Sequence, residues 1–171
     1  MAVDKSSLPY RPCVGVMLVN ADNQAWIGRR IDARDDAEGR GLWWQMPQGG
    51  VDKGEDLADA ASRELYEETS IRSAEIVGQT TDWVRYDLPE ELIGIAWKGK
   101  YRGQKQHWFL MRFVGEDSEI DVASPGGGQF KAEFDDWRWA SLNEVVDLIV
   151  PFKRPVYEEI VPYFSQILSP A

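Results

Sequence analysis

Apolar and polar residues alternate along several stretches of the chain, and this pattern predicts strands. Cys13 begins an apolar run that extends to residue 19, the turn-forming residues 20–23 follow, and a second run covers residues 24–30. This order predicts a β-hairpin. Residues 74–86 and 106–114 predict two longer strands, and residues 137–140 a short one. Residues 1–9 are interpreted as a polar tail, and residues 115–131 as a flexible loop. Residues 31–41 predict a loop that could cover a site.

Three other stretches show a period near 3.6, which is typical of amphipathic helices. Residues 155–168 place apolar side chains on one side, and residues 142–149 predict a shorter helix. A third helix follows Asp56, which is in a position to cap it. Strands and helices mixed in this order are compatible with a layered α/β sandwich.

The third helix carries an acidic face. At 100° per residue, Glu67 and Glu68 lie within roughly 60° of Glu64 on the helical wheel. Three apolar residues share that face: Leu57, Ala60 and Ala61. Inward carboxylates are costly to desolvate unless a cation lies among them, and a hard divalent ion such as Mg²⁺ prefers oxygen ligands. The alternative is a solvated acidic helix end, which is the better reading of an isolated Glu-Glu pair.

Residues 49–71 resemble the Nudix box, in which a glycine, an acidic residue, Arg-Glu, Glu-Glu and a final glycine keep fixed spacings. The matching positions are Gly49, Glu55, Arg63, Glu64, Leu65, Glu67, Glu68, Ser70 and Ile71. Ser70 departs from the pattern, because the family has glycine there. If this residue closes the helix in a left-handed conformation, serine costs roughly 1 kcal/mol relative to glycine.

Segments outside the box extend the resemblance from Tyr10 to about Phe164. They are similar to the branch of the Nudix family that contains bacterial RNA 5′-pyrophosphohydrolases and dinucleoside polyphosphate hydrolases. The segments are 10–12, 44–50, 101–106, 108–110, 133–135, 137–139 and 152–154. The resemblance implies a Nudix-type α/β/α sandwich with a curved mixed sheet, formed as one domain over residues 10–171.

The reaction implied by the resemblance is attack of water on phosphorus, assisted by Mg²⁺ or another divalent ion such as Mn²⁺. The substrate would be a triphosphorylated RNA 5′ end, a dinucleoside polyphosphate, or both. The residues expected to bind metal are Glu64, Glu67, Glu68, Glu133 and Gly49. The expected catalytic set consists of the same four glutamates and Arg63. Glu133 is the candidate for a further ligand or base. The general base stays open between these carboxylates, and Glu68 is favoured.

Supporting and substrate-binding residues complete the expected site. Glu55 lies about 180° from Glu64 on the wheel, so its expected role is to orient Arg63 by charge pairing. The resemblance also implies a substrate-binding set, which is Arg11, Arg30, Gln48, Phe152 and Lys153. In this set Arg30 and Phe152 would sandwich a base, although each could equally be a core or surface residue.

The composition and net charge limit the kinds of partner that the chain is expected to bind. The 171 residues carry a formal charge of −10, which argues against binding of long nucleic acid by electrostatics alone, and no DNA partner is expected. Cys13 is the only cysteine, and no apolar signal segment or membrane span is evident, so a cytoplasmic protein is expected. No obligate protein partner is expected. Cys13 is interpreted as a buried strand residue, and His107, the only histidine, as a strand residue without a catalytic role.

A second hypothesis comes from another class of protein. The chain could be a regulator that binds a nucleotide or an RNA end on a Nudix fold without hydrolysing it. Ser70 is the only feature of the sequence that supports this alternative.

Overall fold

The computed structural model describes residues 4–31 and 43–169. The predicted loop 31–41 therefore lies outside the described residues, apart from Ile31. Eight strands occur in the described part of the chain: β1 Tyr10–Val19, β2 Ala25–Arg30, β3 Trp44–Gln45, β4 Gln48–Gly50, β5 Ala74–Gln79, β6 Val84–Asp87, β7 Gly103–Phe113 and β8 Phe134–Ala140. The helices are α1 Leu57–Thr69, α2 Leu142–Leu148 and α3 Arg154–Leu168. Within those ranges, none of the helices is long and apolar enough to cross a bilayer.

The strands form one mixed sheet in which β1 is central. β1 runs parallel to β7 along its whole length, from Tyr10 opposite Gly103 to Val19 opposite Arg112. Its C-terminal end pairs with β2, whereas residues 13–15 pair with residues 48–50 of β4. These and the remaining pairings are antiparallel. The sheet therefore divides beside β1, and β4 lies at the division.

Alternating side chains of the central strands pack against helices on both faces, as the period of two requires. On one face Val14, Val16 and Leu18 pack with Ala60, Ala61 and Leu65 of α1. On the other face Met17 and Val19 join the core that includes these residues of α2 and α3: Val145, Val156, Tyr157, Ile160 and Phe164. The predicted α/β/α sandwich with a mixed sheet is confirmed.

The element boundaries differ from the prediction in two places. The stretch 74–86 is not one strand, since a register shift lies between Ile76 and Gly78 and β5 ends at Gln79. The next residue, Thr80, turns towards β7, where it exchanges hydrogen bonds with Trp108. The segment 115–131, predicted as a loop, contains two short 3-10 turns at 117–119 and 125–128. The predicted hairpin, the short strand near residue 137 and the two C-terminal helices are confirmed.

Both ends of α1 have capping interactions. The Asp56 side chain accepts a hydrogen bond from the backbone N–H of Asp59, which confirms the predicted cap. At the other end Ser70 has φ 69° and ψ 4°, the left-handed conformation that favours glycine. Its hydroxyl donates to the carbonyl of Asp121 (3.0 Å) and accepts from the N–H of Gly126 (2.9 Å). These two hydrogen bonds offset the conformational cost of serine.

Candidate active site

Two glycines of β4 bring side chains close to the strand from opposite faces. A Cβ at Gly49 would lie 2.1 Å from the Glu64 carboxylate, and a Cβ at Gly50 would lie 2.5 Å from Nη2 of Arg11. Successive strand residues point to opposite faces, so Glu64 approaches from the α1 face and Arg11 from the other. A larger residue at either position would displace the Glu64 carboxylate or the Arg11 guanidinium.

The three glutamates of α1 face the body of the protein, as the helical wheel predicts. Glu68 is only 2% exposed, and its Oε2 accepts a hydrogen bond from the backbone N–H of Gln48 at 3.1 Å. Its Oε1 is buried and has no hydrogen-bond partner among residues 4–31 and 43–169. The side chains of Glu64 and Glu67 are 13% and 28% exposed. A buried carboxylate oxygen without a donor is costly, so the surroundings of Glu68 fit a bound cation.

Burial and neighbouring carboxylates raise the pKa of two of these glutamates. Burial is the largest cause for Glu68, whose pKa lies well above its ordinary value, and the charges of Glu133 and Glu64 raise the pKa further. The pKa of Glu64 is raised to about 7, mainly by burial, although Arg63 opposes the shift. Glu133 precedes β8 and is exposed, yet it adjoins the buried carboxylate of Glu68. The structure thus brings together acidic residues that the sequence separates by 65 positions or more.

Arg63 connects the glycine strand with the acidic residues. Its Nε donates to Glu55 at 2.8 Å, and its Nη2 donates to the carbonyl of Gly50 at 2.9 Å. Its Nη1 donates to Glu64 (2.9 Å) and Glu67 (3.1 Å). The guanidinium lowers the pKa of Glu55 to about 2. The predicted pairing of Glu55 with Arg63 is therefore present in the structure.

The same contacts affect how a metal could bind. In the described ranges no three acidic, histidine or cysteine side chains already form a metal-ligand set. Glu64 and Glu67 each direct one carboxylate oxygen to Nη1 of Arg63, and the second oxygen of each carboxylate is left for an ion.

The residues expected to bind substrate lie on the face opposite α1 wherever the structure records their contacts. The Phe152 ring lies 5.8 Å from that of Tyr86, and Nζ of Lys153 lies 5.9 Å from both rings. Lys153 is 8% exposed, which is rare for a lysine. Arg11 lies 5.8 Å from the ring of Trp97. The predicted stacking of a base between Arg30 and Phe152 stays a prediction.

Cys13 lies where the two groups of residues approach each other. Its thiol is fully buried, and burial raises its pKa to about 11, which makes it a poor nucleophile. The charges of Arg11, Glu64 and Lys153 all act on this thiol. These residues, distant in sequence, therefore converge around β1. His107 instead contacts Gln79 on β5 at 3.0 Å, in agreement with its predicted strand role.

Gln104 and Gln106 are buried residues near the site that the sequence pattern did not indicate individually. Nε2 of Gln106 donates to Oε1 of Gln48 at 2.7 Å. Gln104 and Gln106, which both lie on β7, are 2% and 1% exposed. The available signal was polar residues at alternate positions immediately before an apolar strand. That pattern is also typical of an exposed strand end, so it does not identify a buried site by itself.

With this geometry in place, comparison with known proteins identifies the family. A model described as the NUDIX domain matches residues 9–160. The chain belongs to the Nudix family, and it is a Nudix hydrolase, as the motif predicts.

Curated relatives agree with the predicted branch. The chain is 54% identical over 167 residues to a protein of Mesorhizobium japonicum named RNA pyrophosphohydrolase, with 96% of this chain and 95% of the relative covered. It is 57% identical over 160 residues to a protein of the same name from Bradyrhizobium diazoefficiens, covering 94% and 95% of the two chains.

Solved structures agree with the fold. A binary complex of Caenorhabditis elegans Ap4A hydrolase has a TM-score of 0.64 at 19% identity, with 93% of this chain and 98% of that chain covered. The dihydroneopterin triphosphate pyrophosphohydrolase of Escherichia coli has a TM-score of 0.64 at 18% identity, with coverage of 91% and 99%. At such identities the likeness concerns the fold alone.

Proposed function

We propose that this protein is a Mg²⁺-dependent pyrophosphohydrolase that removes pyrophosphate from the triphosphorylated 5′ end of RNA and can also cleave dinucleoside polyphosphates. The observation that carries the proposal is the buried, unpartnered carboxylate oxygen of Glu68 beside the glycine strand. It occurs in a chain whose relatives of 54% and 57% identity are named RNA pyrophosphohydrolase.

Nudix hydrolases require a divalent metal, and the residues present fit one. Glu64, Glu67 and Glu68 would hold it, with contributions from Glu133 and from Gly49, whose missing side chain leaves room for Glu64. The donors are all oxygen atoms, which favours Mg²⁺ and allows Mn²⁺. When bound, such an ion activates water and neutralises charge on phosphate oxygens.

Each group of residues then has a task in the reaction. Glu68, the most buried carboxylate, is the proposed base, and Glu133 is the alternative because it adjoins Glu68. Arg63 holds the supporting carboxylate of Glu55 and the carbonyl of Gly50, which keeps the glycine strand next to α1. On the opposite face the cations of Arg11 and Lys153 would neutralise substrate phosphates. Phe152, Arg30 and Gln48 would contact the first nucleotides.

An RNA end fits the charge distribution better than an RNA body. The net charge of −10 repels a long polyanion, and only a few cations lie near β4. A cytoplasmic location, the absence of an obligate protein partner and the division into a tail and one domain stay predictions. The regulator hypothesis loses its support, because Ser70 keeps the helix end in the conformation that glycine would adopt.

A direct comparison of substrates tests the proposal. Specificity constants would be measured for a short triphosphorylated RNA and for diadenosine tetraphosphate, each with Mg²⁺, with Mn²⁺ and with EDTA. We expect release of pyrophosphate from the RNA, and of mononucleotides from diadenosine tetraphosphate, only with a divalent ion, and at least a hundredfold preference for the RNA. The same RNA with a 5′ monophosphate is the control and should release no pyrophosphate. Tight binding without turnover under every metal condition would favour the regulator hypothesis instead.

A further inference from the structure

A series of buried hydrogen bonds runs from the indole of Trp108 to the side chain of Gln48. Nε1 of Trp108 donates to Oε1 of Gln106 at 2.8 Å. Nε2 of Gln106 donates to Oε1 of Gln48 at 2.7 Å and to Oε1 of Gln104 at 2.7 Å. We call Trp108, Gln106 and Gln48 the amide chain. Trp108 and Gln106 are 0% and 1% exposed, so water does not compete for these bonds.

The direction of the amide chain follows from the chemistry of indole. An indole N–H can only donate, so the atom of Gln106 that faces it must be the carbonyl oxygen. The amide nitrogen of Gln106 must then face Gln48 and Gln104, and both of its hydrogens are used. Gln48 consequently presents its own carbonyl oxygen to Gln106. Its NH₂ group is left, with no partner among residues 4–31 and 43–169, to donate elsewhere.

The packing around Trp108 keeps the amide chain in place. A Cβ at Gly15 would lie 2.4 Å from the indole, so glycine lets the ring lie flat on β1 between β7 and β4. Gly15 is the residue that pairs with Gln48 on one side and with Trp108 on the other. The Tyr157 ring packs edge-on against the indole, with ring centroids 5.6 Å apart. The donor at the start of the amide chain therefore has little freedom to turn.

Gln48 also touches the acidic residues through its backbone. Its N–H donates to Oε2 of Glu68, while its side chain belongs to the amide chain on the other face. A hydrogen bond to a charged phosphate is about twice as strong as one between neutral groups. An N–H donor fixed at this place could bind the phosphate chain of a substrate, whereas a carbonyl oxygen there would repel it.

We infer that Gln106 is a positioning residue, which holds Gln48 so that its amide N–H groups face the substrate phosphates, with the orientation set by the indole N–H of Trp108. The identity of the substrate in this inference rests on the proposed function. Gln48 is then the residue that contacts the substrate, and Gln106 acts through it.

A double-mutant cycle tests the inference with triphosphorylated RNA. Gln106→Met keeps the side-chain length and removes both polar ends. We expect it to raise KM about tenfold with less than a threefold change in kcat, because a hydrogen bond to a charged group is lost from substrate binding. Gln48→Met should have the same effect. The double variant should match Gln48→Met alone, since Gln106 has no route to the substrate except through Gln48.

Gln45→Met is the matched control. It removes a buried amide that lies outside the amide chain and whose oxygen has no hydrogen-bond partner among the described residues, so KM should stay within twofold. The inference is wrong if the KM effects of the two single variants multiply in the double variant, or if folded Gln106→Met keeps the wild-type KM.

A measurement on the wild-type protein covers the case in which Gln106→Met does not fold. The side-chain amide signals of Gln48, assigned by their loss in Gln48→Met, should shift when inorganic pyrophosphate is added with Mg²⁺. Unchanged signals would overturn the inference. If wild-type protein does not turn over RNA, the proposed function fails separately. The same four variants are then compared by their Kd for pyrophosphate. The Kd values should follow the pattern expected for KM, and the outcomes that would overturn the inference are the same as for KM.

Discussion

The residues on the two sides of β4 differ in how complete their interactions are before a ligand binds. The acidic side is formed by Glu64, Glu67, Glu68 and Glu133. In two of these residues, Glu64 and Glu68, burial and neighbouring carboxylates make the charged form costly. The recognition side, represented by Gln48 and Lys153, holds a neutral amide whose oxygen is already bonded and a cation beside two aromatic rings. One side is therefore incomplete without a cation, and the other is ordered before any ligand arrives.

This difference indicates which side controls turnover and which side controls substrate affinity. Groups that are strained in the free protein change most when a metal binds, so the acidic side should control turnover. Groups that are already in place lose little freedom when a substrate binds, so the recognition side should control affinity. Substitutions on the two sides should therefore separate kcat from KM.

The largest effect is expected for Glu68→Gln on the acidic side. It should lower kcat about a thousandfold and change KM less than threefold, because it removes the proposed base and a metal ligand together. Steady-state kinetics with triphosphorylated RNA would measure both constants. Glu116→Gln, at an exposed position, is the control for the same chemical change. A kcat within tenfold of wild type would contradict the role of Glu68.

The second effect is a dependence of stability on pH in protein stripped of metal. The pKa of Glu64 is about 7 in the folded protein and 4.5 ordinarily, so its protonated form favours folding below pH 4.5 and this contribution is lost as the pH rises to 7. From the size of this shift we expect roughly 2–3 kcal/mol of lost stability, measured by urea unfolding in EDTA from pH 4.5 to 8.

Two comparisons sharpen this second prediction. Glu64→Gln should reduce the pH dependence, because one titrating group is gone and only the contribution of Glu68, whose pKa is also raised, is left. Excess Mg²⁺ should restore stability at pH 8 and have little effect at pH 5, since the ion competes with protons for the carboxylates. An identical pH dependence in wild type and Glu64→Gln would show that this carboxylate does not carry the effect.

The third effect lies on the recognition side. Lys153→Met keeps the apolar stem of the side chain and removes its buried charge, so KM should rise about tenfold while kcat changes less than threefold. Lys131→Met, which removes an exposed charge, should leave both constants unchanged. A loss confined to kcat would mean that Lys153 belongs with the acidic side, and the proposed division would be wrong.

The smallest effect concerns Ser70, which is outside both sides. Ser70→Gly should change stability by less than about 1 kcal/mol, because relief of the left-handed conformation and loss of two hydrogen bonds nearly cancel. Ser70→Ala loses the hydrogen bonds and keeps the conformational cost, so it should destabilise by about 1 kcal/mol in thermal unfolding. Both variants should keep wild-type kcat. A tenfold gain in turnover for Ser70→Gly would show that the serine limits activity, and the expectation of an unchanged kcat would be wrong.

Local periodicity predicted the elements that depend on local pattern. The wheel of α1 placed Glu64 and Glu68 on the inner face. Glu55 precedes the helix, so the wheel does not apply to it, but its pairing with Arg63 is present as expected. The break between β5 and β6 was not predicted, because it depends on the bonds of Thr80 to Trp108, which is 28 residues away. Periodicity contains no information about such a partner.

The sequence by itself determined the family, the acidic face and the expected metal chemistry, because these depend on residue types at fixed spacings within one helix and its preceding turn. Only the tertiary structure decided which groups meet around β4. It placed the carboxylate of Glu133 next to Glu68, and it buried Gln106 where its amide fixes that of Gln48. The physical reason is that burial and hydrogen-bond direction are set by neighbours from distant strands, and no local pattern encodes them.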